Sequence, residues 1–359
     1  MKGKLLLNRN EVIQGPSPKC LEVLKNFPPG KVAFYFDGYF GSVLIPKLSK
    51  IFTFSEQQII IGYGLEDIFR IIFDNLKPET DVVLTHELHY TYYDKYLNFK
   101  NVRLENFKLT ENQNEFTFNI DDCLEKIQKI KPKVVLITSP NNPTGNSINL
   151  ADFEKILNVA DTATLVVLDE AYFGFNENYN QQDFLALLEK HENLMILRSF
   201  SKLYALAGLR IGFALCGTKI KEILRYQNYY LGGSRILEEV AISALESENY
   251  YKNLSEEIIE DRKNFISEVN KLKNFKAFDS KANFVLVKVN ENIKNTFEQE
   301  MDNIDFSVSK FVFENFMRVS IGSKQHTEKF LGATLVFWLE KLCYCNAPVL
   351  LKALFCQIQ

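Results

Sequence analysis

The stretch "LMILRSFSKLYALAGLRIGFALC", residues 194–216, sets two short apolar runs, "LMILRSF" and "IGFAL", on either side of a segment carrying Ser199, Ser201, Lys202 and Arg210. Near-continuous apolar runs of this length are typical of strands covered on both faces, and such strands belong to parallel sheets flanked by helices. Toward the N-terminus the same kind of run recurs as "TLVVLD", "KVVLIT", "DVVLT" and "QIIIG", with longer helix-compatible stretches between. In one of these, "LEDIFRIIFDNL", Ile68, Phe69, Ile72, Phe73 and Leu76 fall at helical spacing, so it reads as a helix packed on the sheet. The alternation over residues 57–215 predicts crossover units on a mostly parallel sheet, an α/β fold.

Past residue 233 the pattern changes. A long, charged, helix-compatible stretch runs from Ser234 to Leu272, and "ANFVLVKV" and "FMRVSIG" follow as strands of a smaller α+β unit. The expected division is an arm over residues 1–30, a large domain over 31–233 and a small domain over 234–359. The apolar chain from Leu331 onward carries no readable function.

A chain of 359 residues with 46% apolar and 24% charged content can bury one large core or two smaller ones. A net charge of -3 offers no broad basic field, so nucleic acid is not an expected partner. The N-terminal "MKGKLLLNRNEV" holds too short an apolar run for an export signal. The later run "FLGATLVFWL" stops at Glu340, short of the roughly 20 residues that span a bilayer. A cytoplasmic protein without membrane contact is expected. The six cysteines show no pair spacing or neighbouring histidines of a metal site, and reduced thiols without a metal or disulfide role are the expectation.

Four motifs carry chemistry. In "IIIGYGLEDIFRII", Gly62 and Gly64 stand between strand and helix, where backbone N–H groups at Gly64 and Leu65 and the helix dipole favour an anion; Glu66 and Asp67 are first-turn acids. In "LITSPNNPTGNSI" a rigid turn follows a buried strand; it is either a turn capped by asparagine or a fixed loop that aims the Asn142 amide at a ligand. "TLVVLDEAYFGF" ends a strand with Asp169 and Glu170, acids that are costly to bury without a cationic partner, which an arginine, a lysine or a protonated ring nitrogen would provide. Tyr172 offers a phenol nearby, and the opening stretch adds Lys202 between hydroxyls and Arg210. Pyridoxal phosphate needs such a set: an amine for a Schiff base, a carboxylate for its ring nitrogen and donors for its phosphate.

The segments "SPNNPTG", "DEAY" and "SFSKLYALAGLRIGF", with "LNRNEV", "GPSP" and "FMRVSIG" toward the ends, resemble those of the fold-type I pyridoxal-phosphate-dependent aminotransferases (class I/II), most closely the histidinol-phosphate aminotransferase branch. The resemblance covers most of the chain. It implies a three-layer large domain with a mostly parallel sheet and a smaller α+β domain. By the same resemblance Lys202 holds the cofactor and shuttles a proton, Asp169 pairs with the ring nitrogen, and Tyr172 and Asn142 bond the ring oxygen. Ser199, Ser201 and Arg210 converge with Gly64 and Leu65 on the phosphate, Glu66 joins the cofactor-binding set, and Tyr90 in "LHYTYYDKY" stacks on the ring. Tyr35 in "FYFDG" reaches the phosphate in a second subunit, implying a homodimer with shared active sites, and Arg318 binds the substrate carboxylate.

Three departures bear on the substrate and count against a phosphorylated imidazole. The branch usually carries another arginine near Ser309, where "SVSKF" offers Lys310; its "YPD" is "YFD" here; and the N-terminal arm is short. The implied activity is amino-group transfer between an amino acid and a keto acid or small, including phosphorylated, carbonyl compound. Threonine-phosphate and serine-phosphate decarboxylation is the alternative, since decarboxylases of that type share the fold and nearly all the cofactor residues. A cofactor-sensing regulator would carry a DNA-binding domain before this region, for which the residues ahead of Gly30 leave no space.

Overall fold

The apolar runs become the middle of a seven-stranded sheet in the computed structural model, which describes residues 5–35, 37–224, 232–295, 297, 306–308 and 312–340. In chain order the strands are β1 (Leu5–Leu7), β2 (Ile59–Gly62), β3 (Val82–His86), β4 (Arg103–Phe107), β5 (Leu109–Glu111), β6 (Phe116–Phe118), β7 (Val134–Thr138), β8 (Leu165–Glu170), β9 (Leu194–Ser199), β10 (Gly212–Cys216), β11 (Phe275–Ala277), β12 (Phe284–Val289), β13 (Phe306–Val308) and β14 (Phe316–Ser320). The large sheet has the order β2-β10-β9-β8-β7-β3-β4. Strands β9, β8, β7, β3 and β4 run parallel, while β10 is antiparallel to both β9 and β2.

Each central strand divides its side chains between two packed layers, as a period of two requires. Ile60, Val83, Leu136, Val167 and Leu197 join one apolar cluster with Ile68, Phe69, Ile72 and Phe73 of helix Leu65–Asp74. Ile61, Leu84, Ile137, Leu168 and Ile196 join the other, with Phe153 and Phe184 from helices Leu150–Val159 and Gln181–Lys190. Helices therefore cover both faces, giving three layers. Burying each of those side chains is worth about 1.5–3 kcal/mol, so a charge at Ile68 would breach one layer.

The expected strands in the large sheet are all present, and one more appears. Strand β4, "RLENF", buries Phe107 alone and, among the described residues, pairs only with β3, so an edge position leaves its polar residues in water. The stretch Ser234–Leu272 is two helices, Arg235–Leu245 and Glu248–Val269, with Glu246 and Ser247 between them. Strands β11, β12 and β14 form an antiparallel sheet beside them. One apolar cluster runs through Phe40, Ile196, Val240, Ile258 and Val285, so the layers on either side of residue 233 pack together. Ser309, Lys310 and the chain from residue 341 lie outside the described residues. Among the described residues no helix is long and apolar enough to cross a membrane.

Candidate active site

Strands β2, β7, β8 and β9 point the same way, and the segments leaving their carboxyl ends enclose a cavity of about 640 Å³. Leu65 and Glu66 follow β2, Thr138 and Asn142 lie at and beyond the end of β7, Asp169 and Tyr172 sit at the end of β8, and Ser199, Ser201 and Lys202 sit at the end of β9. Arg210 enters from the turn before β10, Arg318 from β14, Tyr90 from the turn after β3, and residues 8–11 close one wall. Ligand sites at strand carboxyl ends are the rule in open α/β sheets.

Asp169 is 3% exposed. Its Oδ2 accepts from Tyr93 Oη at 2.6 Å and its Oδ1 from the Ala171 N–H at 2.9 Å. Among the described residues no basic side chain forms an ion pair with it. Burial raises its pKa to about 6, against the Tyr93 and Ala171 bonds that hold it down. The basic partner expected at this strand end belongs to Glu170 instead: Arg198 Nε lies 2.8 Å from Glu170 Oε2, both side chains buried.

Lys202 donates from Nζ to the Arg9 carbonyl at 2.9 Å, with Nζ 5.5 Å from the centre of the Tyr172 ring. Burial, and then the positive charge of Arg318, lower its pKa to about 8. A larger share of the amine is then neutral and nucleophilic near neutral pH than for an exposed lysine. Arg318 donates to Asn142 Oδ1 and, at 2.5 Å, to the Asn8 carbonyl.

At the other end of the cavity, Gly64 caps helix Leu65–Asp74 with φ 78° and no side-chain cap. The first N–H groups of a helix lack partners within it, so this terminus keeps donors for an anion. A Cβ on Gly64 would come within 2.7 Å of Arg210 Nη2, so the glycine lets the guanidinium approach the backbone. Arg210 Nη2 stands 3.5 Å from Glu66 Oε2, and Tyr90 Oη donates to Glu66 Oε1 at 2.8 Å.

Eleven residues expected at the site therefore meet in one cavity: Leu65, Glu66, Tyr90, Asn142, Asp169, Tyr172, Ser199, Ser201, Lys202, Arg210 and Arg318. Gly64, next to Leu65, does not itself line the cavity, and Tyr35 is fully exposed and lines none of it. Sequence reading missed Tyr93, three residues after Tyr90 and wholly buried, because a core tyrosine and one bonded to Asp169 look alike in sequence. It also missed Asn8, Arg9, Asn10 and Glu11 as lining residues, although "LNRNEV" was a visible motif.

A three-layer α/β sheet that gathers a lysine, a buried aspartate and an arginine in a cavity at its strand ends is the architecture of an enzyme acting on small charged molecules. The chain belongs to the aminotransferase class I and II family, whose model matches residues 2–333. It is 29% identical over 331 residues to a histidinol-phosphate aminotransferase of Methanocaldococcus jannaschii, covering 90% of this chain and 87% of the relative. It is 31% identical over 287 residues to histidinol-phosphate aminotransferase 2 of Archaeoglobus fulgidus, covering 80% of each. The solved structure of histidinol-phosphate aminotransferase from Sinorhizobium meliloti, in complex with pyridoxal-5'-phosphate, shares the fold at a TM-score of 0.79 and 22% identity, over 93% of this chain and 90% of that one.

Proposed function

We propose that this chain is a pyridoxal-phosphate-dependent aminotransferase of the histidinol-phosphate aminotransferase kind, moving an amino group between an amino acid and a keto acid or small carbonyl compound, phosphorylated ones included. The observation that carries this is the pairing in one cavity of Lys202, whose pKa is lowered by burial to about 8, with Asp169, a buried carboxylate that meets no cation among the described residues.

The cavity fits the cofactor on three counts. Its volume lies in the range of about 300–1,000 Å³ usual for small-molecule sites. A carboxylate buried without a cation is costly unless a positive group such as a protonated ring nitrogen meets it. The uncapped helix terminus at Leu65 and Glu66, with Arg210, Ser199 and Ser201, supplies donors for a phosphate.

When bound, pyridoxal phosphate supplies an electrophilic carbonyl and a ring that withdraws electrons from the substrate carbon. The chain supplies the rest. Lys202 would hold the cofactor through Nζ, and the same atom could carry a proton to and from the substrate. Asp169, ionised above about pH 6, keeps a ring nitrogen protonated. Tyr172 and Asn142 would hold its ring oxygen, Tyr90 would offer an aromatic face to the ring, and Arg318 would bind the substrate carboxylate.

The same proposal includes a cytoplasmic location and a homodimer; the exposure of Tyr35, which does not line its own chain's cavity, supports the homodimer. It also includes the division into an arm (1–30), a large domain (31–233) and a small domain (234–359).

Adding cofactor to the full chain is expected to give a visible absorption band that Lys202→Ala lacks. Histidinol phosphate and a panel of amino acids, tested as donors, should bleach the band, and a keto acid should restore it. No band in the parent chain overturns the reading; carbon dioxide release from O-phosphothreonine without a keto acid replaces transamination by decarboxylation.

A further inference from the structure

Asn10 stands at φ 55° and is 1% exposed, within the segment that walls the cavity. Asparagine enters this left-handed region more readily than other side chains that carry a Cβ. Four bonds hold it in place. Its N–H donates to Ser320 Oγ at 2.9 Å, Ser320 Oγ donates to its Oδ1 at 3.0 Å, Asn283 Nδ2 donates to its carbonyl at 3.0 Å, and its own Nδ2 donates to Tyr172 Oη at 2.9 Å.

These bonds fix a direction. The Ser320 hydroxyl already accepts from the Asn10 N–H, and its single proton goes to Oδ1, which turns the amide's N–H end toward Tyr172. Tyr172 Oη therefore accepts from Asn10. Among the described residues nothing takes the phenol's own proton, and Tyr172 lines the cavity.

We infer that Asn10 is a positioning residue that keeps Tyr172 a hydrogen-bond donor into the cavity, so that the phenol delivers its proton toward an acceptor oxygen of the bound molecule. The charged and titratable groups facing Tyr172 are Arg318 from β14, Asp169 from β8, Lys202 from the segment after β9 and Tyr90. Burial raises the phenol's pKa, and Arg318 and the Asn10 bond oppose it. The consequence for the cofactor's ring oxygen rests on the function proposed above; the direction of the Asn10–Tyr172 bond does not.

The test uses the full chain in two arms. In cofactor-free protein labelled with carbon-13 at tyrosine Cζ, the Tyr172 signal is assigned by its loss in Tyr172→Phe. Asn10→Asp presents an acceptor, so the phenol turns to donate to it and its signal moves toward the phenolate position; an unmoved signal overturns the inference.

With cofactor bound, the pH midpoint of the absorption band is read. A donor to an oxygen favours that oxygen's deprotonated form, so losing the donor raises the midpoint, by about one pH unit in Asn10→Asp and Tyr172→Phe alike. The double variant should rise no further than Tyr172→Phe, and an additive rise overturns the inference. Ser320→Ala, which frees the amide to turn, should move the midpoint in the same direction by less, and keeps the test open if Asn10→Asp does not fold. A parent chain without a band removes the proposed function and leaves the tyrosine signal to decide.

Discussion

Asp169 and Glu170 are neighbours at the end of one strand, and their surroundings differ in almost every respect. Glu170 is sealed into a packed layer: Arg198 bonds its Oε2, Tyr179 donates to its Oε1, and the Arg198 guanidinium lies 3.7 Å from the centre of the Phe173 ring. Asp169 faces the cavity with one phenol and one backbone N–H for company. Strand alternation puts the two on opposite faces, so one residue of sequence separates an acid paired with an arginine from one that meets no cation among the described residues. The difference separates a charge-paired acid from an unpaired one, and each half of it can be attacked separately.

The larger expected effect is on the sealed side. Glu170→Ala leaves Arg198 buried without its partner, and breaking one side of such a pair costs about 3–5 kcal/mol. Chemical denaturation of the cofactor-free chain should show that loss, while Glu170→Gln, which keeps an acceptor, loses less. Equal stability of Glu170→Ala and the parent would remove the distinction between the two acids.

On the open side the sign reverses. The pKa of Asp169 is raised in the folded chain to about 6, so its contribution is fully present below the unfolded value near 3.8 and is lost as pH rises through 6. A tenfold change in proton affinity between the folded and unfolded chain is worth about 1.4 kcal/mol, so cofactor-free Asp169→Asn should be more stable than the parent by up to about 3 kcal/mol at pH 8 and equal to it near pH 4. The same substitution should weaken cofactor binding. Denaturation midpoints at the two pH values test the first claim, and a pH-independent difference refutes it.

How much of this was legible in the sequence follows the same divide. The buried strands could be read because they are apolar on both faces, whereas β4 could not, because its polar "RLENF" lies at an edge. Lys202, Asp169, Asn142 and Arg210 could be read because each sits at a strand end or turn, where a charge or amide in an apolar context is unusual. The acid that Arg198 pairs with was not legible: the sequence shows two adjacent acids and leaves open which one takes a basic partner. Residues 8–11 escaped because their place at the cavity depends on contacts across some 310 residues, such as Asn10 with Ser320, which no local pattern reports.

Tyr93 sharpens the comparison with the smallest effect. Its hydroxyl, wholly buried, donates to Asp169 at 2.6 Å and lies 3.2 Å from Thr138 Oγ1, and the bond to Asp169 holds that carboxyl's pKa down against burial. Tyr93→Phe should therefore push the Asp169 midpoint above 6 and widen the pH range over which stability is lost. A hydrogen bond to a charged group is worth about 1.5–3 kcal/mol, so the cofactor-free variant should lose about 2 kcal/mol at pH 8. Near pH 4 the folded carboxyl is largely neutral in parent and variant alike, and the loss should fall below about 1 kcal/mol, the value of an ordinary hydrogen bond. In an Asp169→Asn background the pH dependence of the Tyr93→Phe loss should vanish, because an amide does not titrate. If it persists there, Tyr93 acts through some other group, and Asp169 owes its ionisation to the backbone N–H and to the ligand alone.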